Sequence, residues 1–173
     1  LPPHLALGTN KGQSVAGSLA ALIGFARAGK LDRERSRLTF PAGLIGAFAG
    51  AALVLLVEPA TLKPLVLVLL VLAALVVVFR RVPAAGAVDP RPPVPMARAR
   101  ILAIGIALVI GAYDGFFGPG TGTFVILACV LLLREQMTNA TAHAKVVNFA
   151  SILASVAQSS LKGTVLWNIA LPM

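Results

Sequence analysis

Apolar residues run along this chain in blocks too long for strands. A helix that crosses a bilayer needs about 20 mostly apolar residues, and five blocks approach that length. The first, 12–29, is the most polar. The second, 40–57, carries no charge from Phe40 to Val57 and places Pro41 in its expected first turn, where the missing N–H has no helical acceptor to lose. The third, 62–79, starts near Pro64 and continues as a Leu/Val run to Phe79. The fourth covers 101–133 and the fifth 144–161, and a sixth begins near Trp167. Val and Leu dominate the third block, yet the unbroken run from Leu65 to Phe79 exceeds a usual strand. In lipid a helix satisfies its own backbone, which an isolated strand cannot do. The pattern predicts an all-α, polytopic transmembrane bundle.

Composition agrees. Hydrophobic residues make up 58%, charged residues 12%, and the mean hydropathy is +0.90. A soluble domain carries about 25% charged residues, so disorder is excluded and a soluble globule is disfavoured. The net charge is +9, from 15 Lys+Arg against 6 Asp+Glu. A basic excess by itself suggests nucleic acid, but its placement says otherwise. Arg27, Lys30, Arg33, Arg35 and Arg37 cluster in 27–37, and Arg80, Arg81, Arg91, Arg98 and Arg100 in 80–100. The intervening links hold only Lys63 beside Glu58 and Arg134 beside Glu135. Rich and poor loops alternate as the positive-inside rule requires. Loops 27–37 and 80–100 are therefore expected in the cytoplasm, and 58–63 and 134–140 outside. No aromatics are interleaved for base stacking. The expected partner is the lipid bilayer, with no nucleic acid, and association with further copies stays open.

Between Pro83 and Pro95 lie Pro90, Pro92 and Pro93, which preclude a continued helix. The stretch 83–100 reads as a cytoplasmic linker between a first half, 1–82, and a second half, 101–173. A weak internal repeat supports two halves. A shift of 134 positions brings Lys11 onto Lys145, Ala16 onto Ala150, Leu19 onto Leu153 and Gly29 onto Gly163, with Ser14 facing Asn148. Duplicated halves are common in secondary transporters. On the charge-based topology the two repeats run parallel, and an inverted arrangement stays open. The chain begins at Leu1 and stops within an apolar stretch at Met173, so both halves are expected to be incomplete, and the counterpart of the fourth block would precede residue 1.

The fourth block carries the chemistry. As one helix, 101–133 would be about 50 Å long, against a hydrocarbon core of about 30 Å. Its centre holds Gly115, Gly118, Pro119, Gly120 and Gly122. Two half-helices are expected, about 101–112 and 122–133, making one broken crossing or a re-entrant hairpin. Non-helical backbone at membrane depth must be buried in protein or line a cavity. The second half-helix offers free N–H groups and a positive dipole end to an anion, with Thr121 or Thr123 as cap and hydroxyl donor. Asp114 is costly between apolar segments. It is expected to organise the loop or to relay protons, and not to touch an anionic substrate directly. Lys11 and Lys145 are the candidate cations, with Asn10 and Asn148 as hydrogen-bond donors, although snorkelling to the interface would also explain the lysines. Lone Cys129 excludes a disulfide framework and reads as a small buried hydrophobe. No Walker motif, dinucleotide fingerprint or His/Cys/Glu metal set occurs, so no cofactor, metal or enzyme activity is expected.

The stretch Tyr113-Asp114-Gly115-Phe116-Phe117-Gly118-Pro119-Gly120-Thr121-Gly122-Thr123-Phe124 resembles the signature of the TauE/SafE sulfite-exporter family of membrane permeases. Ala142, Lys145, Asn148 and Phe149 resemble the pattern that follows it, and Leu5 to Lys11 the first-half equivalent. The family's glycine-rich first-half signature is absent. The resemblance spans nearly the whole chain. It implies a bacterial inner-membrane protein of two homologous halves, some members being linked to export of sulfite or organosulfonates. The expected function is secondary transport of a small anion, a sulfur oxyanion or sulfonate, with protons as a possible coupling ion. The binding set is Gly118, Gly120, Thr121, Gly122, Thr123, Lys145, Asn148, Asn10 and Lys11. A passive anion channel, a membrane enzyme or assembly factor, and a non-transporting scaffold are the rivals.

Overall fold

The computed structural model describes the backbone of residues 3–56 and 94–161, with single positions between 64 and 75. Five helices span these residues. They are α1 (Pro3–Arg27), α2 (Arg33–Leu56), α3 (Met96–Phe116), α4 (Thr121–Leu132) and α5 (Met137–Leu161). No strand occurs among the described residues, as the pattern predicts. Among the described residues, three stretches are long and apolar enough to cross a membrane: Arg33–Leu53, Met96–Phe116 and Met137–Gln158. The chain is a multi-pass membrane protein. The third apolar block, most of the proline-rich linker and the sixth block lie outside the described residues, apart from helical single positions such as Leu67 and Val71.

The helices start earlier than the apolar blocks suggest. Asp32 caps α2: its Oδ1 accepts the Arg35 N–H at 3.1 Å and its carbonyl the Ser36 N–H at 2.9 Å. The helix therefore begins in the charged segment, and Pro41 sits inside it rather than in its first turn. Its missing N–H removes the partner of the Arg37 carbonyl. Likewise the last linker residues, Met96–Arg100, form the start of α3, and α5 begins at Met137. At the end of α1, Gly29 adopts φ +66° and the Lys30 N–H bonds the Phe25 carbonyl at 3.1 Å, a glycine-terminated helix end.

Helices α2 and α3 pack side by side and run parallel. The contact is backbone on backbone, through Gly46–Gly50 on one and Gly111–Gly115 on the other. A Cβ at Gly50 would lie 1.9 Å from the Ala112 carbonyl oxygen, and one at Gly115 2.0 Å from that of Ala47. Both pairs have the small-xxx-small spacing that lets membrane helices approach closely. Helix α4 folds back along α3, so Cys129 and Leu133 share a core with Ala99, Ala103 and Ala107, closed by Ala140, Ala144 and Val147 of α5. Cys129 is buried there as a small hydrophobe. Ile45, Leu53, Ile101, Val109 and Leu132 point outward, as side chains facing lipid do.

This hairpin corrects the expected topology. Glu135, after α4, is ion-paired with Arg35 at the start of α2, and Arg100 at the start of α3 with Glu34. Segment 134–140 thus lies at the same end as 27–37, not at the opposite one. A re-entrant hairpin enters and leaves on one side, so the sparse charges after it report no crossing.

Candidate functional site

The turn between α3 and α4 is held by the side chains that flank it. The Tyr113 carbonyl accepts the N–H groups of Phe117 at 2.8 Å and Gly118 at 3.3 Å, ending α3. The Tyr113 hydroxyl reaches over the turn and donates to the Pro119 carbonyl at 2.8 Å. Its ring packs edge-on against Phe117 and Phe124, with centroids 5.9 and 5.3 Å away. Gly118 and Gly120 take φ values of +91° and +81°, a region open to glycine and strained for other residues. The break is thus a built turn and not a packing kink. From Ile101 to Phe116 the chain climbs about 24 Å, and the twelve residues of α4 descend about 18 Å. The turn therefore lies about 18–24 Å from the charged end of the hairpin.

Asp114 lies at this depth and is 5% exposed. Its Oδ1 is 2.7 Å from the Thr121 hydroxyl, the first residue of α4, and that hydroxyl is 2.6 Å from the Gly118 carbonyl oxygen. Its Oδ2 is buried and has no hydrogen-bond partner. The first N–H groups of α4 add to the polar set. Thr121 N–H bonds the Gly118 carbonyl at 3.4 Å and Phe124 N–H begins the helical ladder at Gly120, so Gly122 and Thr123 have no helical acceptors.

A cavity of about 450 Å³ opens beside this turn. Asp114, Phe117, Gly118 and Pro119 form one wall, Ser14, Gly17 and Ser18 of α1 a second, and Asn148 and Ile152 of α5 a third. Of the expected binding set, Gly118 and Asn148 line the cavity, and Thr121 stands behind Asp114. Gly120 is exposed on the turn, and Gly122 and Thr123 are half-buried in the first turn of α4 without lining the cavity. Lys145 is half-buried on the Asn148 face of α5, one turn nearer the charged end, and does not line it. Asn10 and Lys11 fall on the backbone of α1, and their side chains lie outside the described residues. Gly17, Ser18 and Ile152 were not singled out by sequence. The repeat held the signal, because the shift that pairs Ser14 with Asn148 also pairs Ser18 with Ile152.

Helices α1 and α5 run antiparallel. Gly29 and Lys30, after α1, share a second cavity of about 390 Å³ with Asn139 and His143, at the start of α5. Farther along, Ser14 and Ser18 meet Asn148 and Ile152. Helix α1 therefore runs opposite to α5, the inverted arrangement and not the parallel one that charge counting favoured. The second cavity also holds Asp32, Arg35 and Glu135. Val125, Val147 and Ala150 are almost fully buried in the bundle. His143 is buried there with Nε2 4.0 Å from Glu135 Oε2 and Nδ1 unpartnered. No group of three His, Cys, Asp or Glu residues suited to a metal occurs among the described residues.

The family model described as Sulfite exporter TauE/SafE matches residues 1–173. A probable membrane transporter protein of Haemophilus influenzae is 36% identical over 175 residues, covering all of this chain and 66% of that protein. The probable membrane transporter protein ORF9 of a Sinorhizobium species is 35% identical, covering all of this chain and 64% of its own length. The probable membrane transporter protein YfcA of Escherichia coli K12 is 33% identical, covering 96% of this chain and 60% of its own. The chain thus spans roughly two thirds of the length of these curated relatives. No solved structure matches it.

Proposed function

We propose, for a chain that belongs to the sulfite exporter TauE/SafE family, that it forms the membrane-embedded core of a permease for a small anion, a sulfite, sulfonate or related sulfur oxyanion. The observation that carries this reading is the cavity where a broken helix meets both repeats. Substrate sites of secondary transporters lie at such repeat interfaces, near discontinuous helices. The first turn of α4 supplies unpaired N–H groups and a positive dipole end. Asn148, Ser14 and Ser18 supply polar walls. Lys145, with Lys11 on the repeat-related helix, adds positive charge within one turn of the cavity, where a lengthened side chain reaches. Asp114 orders the turn through Thr121 or relays protons. Alternating access follows from one half moving against the other, with the Arg35–Glu135 pair closing the charged end in this conformation. The loops 27–37 and 80–100 face the cytoplasm of a bacterial inner membrane in this reading.

The test is flux of labelled sulfite by the full-length protein in proteoliposomes. Saturable flux, lost in a Lys145→Ala, Thr121→Val double variant that still folds, supports the assignment. Unchanged flux in that variant sinks the site. Flux that fails to saturate identifies a pore, and absence of any flux leaves the scaffold.

A further inference from the structure

Asp114 sits where an anion permease should not keep a fixed negative charge. Its carboxyl lines the cavity proposed above for the anion, and the inference rests on that reading. Its Oδ2 is buried without a partner. Among the described residues no cation pairs with it. The groups that face it are Ser14, Gly17 and Ser18 from α1, Asn148 and Ile152 from α5, and Thr121 from α4. On the α2 side, Gly50 and Ala47 abut the neighbouring backbone at Ala112 and Gly115. None of these ionises, and Lys145, one turn before Asn148 on α5, is half-buried and does not line the cavity. Tyr113, its neighbour on α3, has its hydroxyl committed to Pro119.

The oxygens also count protons. Thr121 Oγ1 is 2.7 Å from Asp114 Oδ1 and 2.6 Å from the Gly118 carbonyl oxygen. A hydroxyl has one proton to donate. If it goes to Gly118, the contact with Asp114 needs a proton from the carboxyl. If it goes to Asp114, the Gly118 contact is two bare oxygens at hydrogen-bond distance. With the carboxyl as the acid both contacts are satisfied, Asp114 donating to Thr121 and Thr121 to Gly118. The other carboxyl oxygen, buried without a partner, then carries no negative charge.

We propose that the cavity takes its anion only with Asp114 as the neutral acid, so that one proton travels with each anion. A proton from the open side bonds to the Asp114 carboxylate, the anion enters beside the neutral acid, and after the halves move the anion and the proton leave on the other side. A monoanion and one proton together carry no net charge, so transport is driven by a pH gradient and is indifferent to voltage.

The experiment uses the full-length protein in proteoliposomes with labelled methanesulfonate, whose charge does not titrate in the assay range. Two measurements are compared between wild type and Asp114→Asn, counterflow at equal pH and accumulation under a gradient. The amide keeps the neutral shape and a donor but has no proton to exchange. For wild type, a gradient of one unit, alkaline inside, gives about tenfold accumulation, one unit being a factor of ten in proton activity. The vesicle interior acidifies by one proton per anion. The Asp114→Asn variant loses gradient-driven accumulation, and the net flux it retains becomes responsive to membrane potential. Wild-type net uptake without proton movement overturns the coupling and leaves Asp114 as a structural cap. So does an Asp114→Asn variant that accumulates like wild type. If the variant fails to fold, wild-type proton stoichiometry decides alone, one supporting and zero overturning. Absence of counterflow for both methanesulfonate and sulfite overturns instead the anion-site reading beneath it. If sulfite alone exchanges, the same comparison is run with sulfite, because the substitution alters the coupling and leaves the cargo's own titration in place.

Discussion

Gly50→Ala tests whether backbone contact between α2 and α3 positions the site. The added Cβ would lie 1.9 Å from the Ala112 carbonyl oxygen and 2.9 Å from the Phe116 nitrogen. Carbon–oxygen contacts between close helices settle at about 3.3 Å, so the helices must part by about 1.4 Å along that line. No side chain can swing aside, since both neighbours are backbone. A gap of that size forfeits most of the dispersion attraction along the contact, and overpacking of well-packed interiors costs about 1–3 kcal/mol. The upper end is expected here, about 3 kcal/mol, because the strain falls on a whole helix pair. Gly105→Ala is the matched control. It lies on α3 facing outward with nothing within 4 Å of an added Cβ, so the change should stabilise by about 0.5–1 kcal/mol. Unfolding by SDS titration, followed by far-ultraviolet circular dichroism, measures both. Opposite signs are expected, and anion flux should fall with Gly50→Ala because Asp114 shifts with α3. A Gly50→Ala protein within about 0.5 kcal/mol of wild type, the usual scatter of inert substitutions, would refute the close-packing argument.

Two further outcomes follow from hydrogen bonds and charges. Thr121→Val keeps the shape but strips the hydroxyl shared by Asp114 and Gly118; a loss of about 1–3 kcal/mol is expected in the same unfolding assay, and Thr121→Ser should restore most of it. The Arg35–Glu135 pair is largely shielded, its side chains 17% and 12% exposed. Arg35→Gln alone should cost about 3–5 kcal/mol by stranding the carboxylate. The Arg35→Gln, Glu135→Gln double variant should recover a large part, and a double-mutant cycle with no coupling would show that the pair does not hold that end.

The all-α membrane architecture was legible because lipid leaves the chain few choices. Blocks of apolar residues predict where helices lie: α2 and α5 fall on the second and fifth blocks, and α3 with α4 on the fourth. Helix starts were less legible, since Asp32 and Gln136 cap in polar sequence where hydropathy has already fallen away; the Ala140 N–H bonds the Gln136 carbonyl at 3.0 Å. The polar turn was visible in Gly118, Pro119 and Gly120, and Asp114 announced itself as a charge in an apolar run. What hydropathy could not carry was direction. The charge rule assumes that each apolar block crosses once, whereas α3 and α4 go in and come back. Losing that crossing turns the parallel repeat into an inverted one. The spacing Gly46-x-x-x-Gly50 and Gly111-x-x-x-Gly115 was also in the sequence, but which glycine pairs meet depends on the register of two helices far apart in the chain.

The inverted repeat and the hairpin together explain why the chemistry is uneven on a nearly symmetric frame. Helices α1 and α5 lie against one another and leave a cavity lined by Ser14 and Ser18 on one side and Asn148 and Ile152 on the other. Small side chains on α1 keep that space open, and the larger amide on α5 reaches into it. Neither helix brings an ionisable group to the described walls of the cavity. The hairpin does so, because only a turn that stops partway can set a carboxyl at depth while its backbone polar groups are satisfied locally. Tyr113 and Thr121 provide that satisfaction, one on each side of the turn. Asp114 is therefore held by short, fully local bonds, while the walls around it belong to helices from both halves. A relative movement of α1 and α5 would change what surrounds Asp114 without breaking what holds it, as the proton-coupled mechanism proposed above requires.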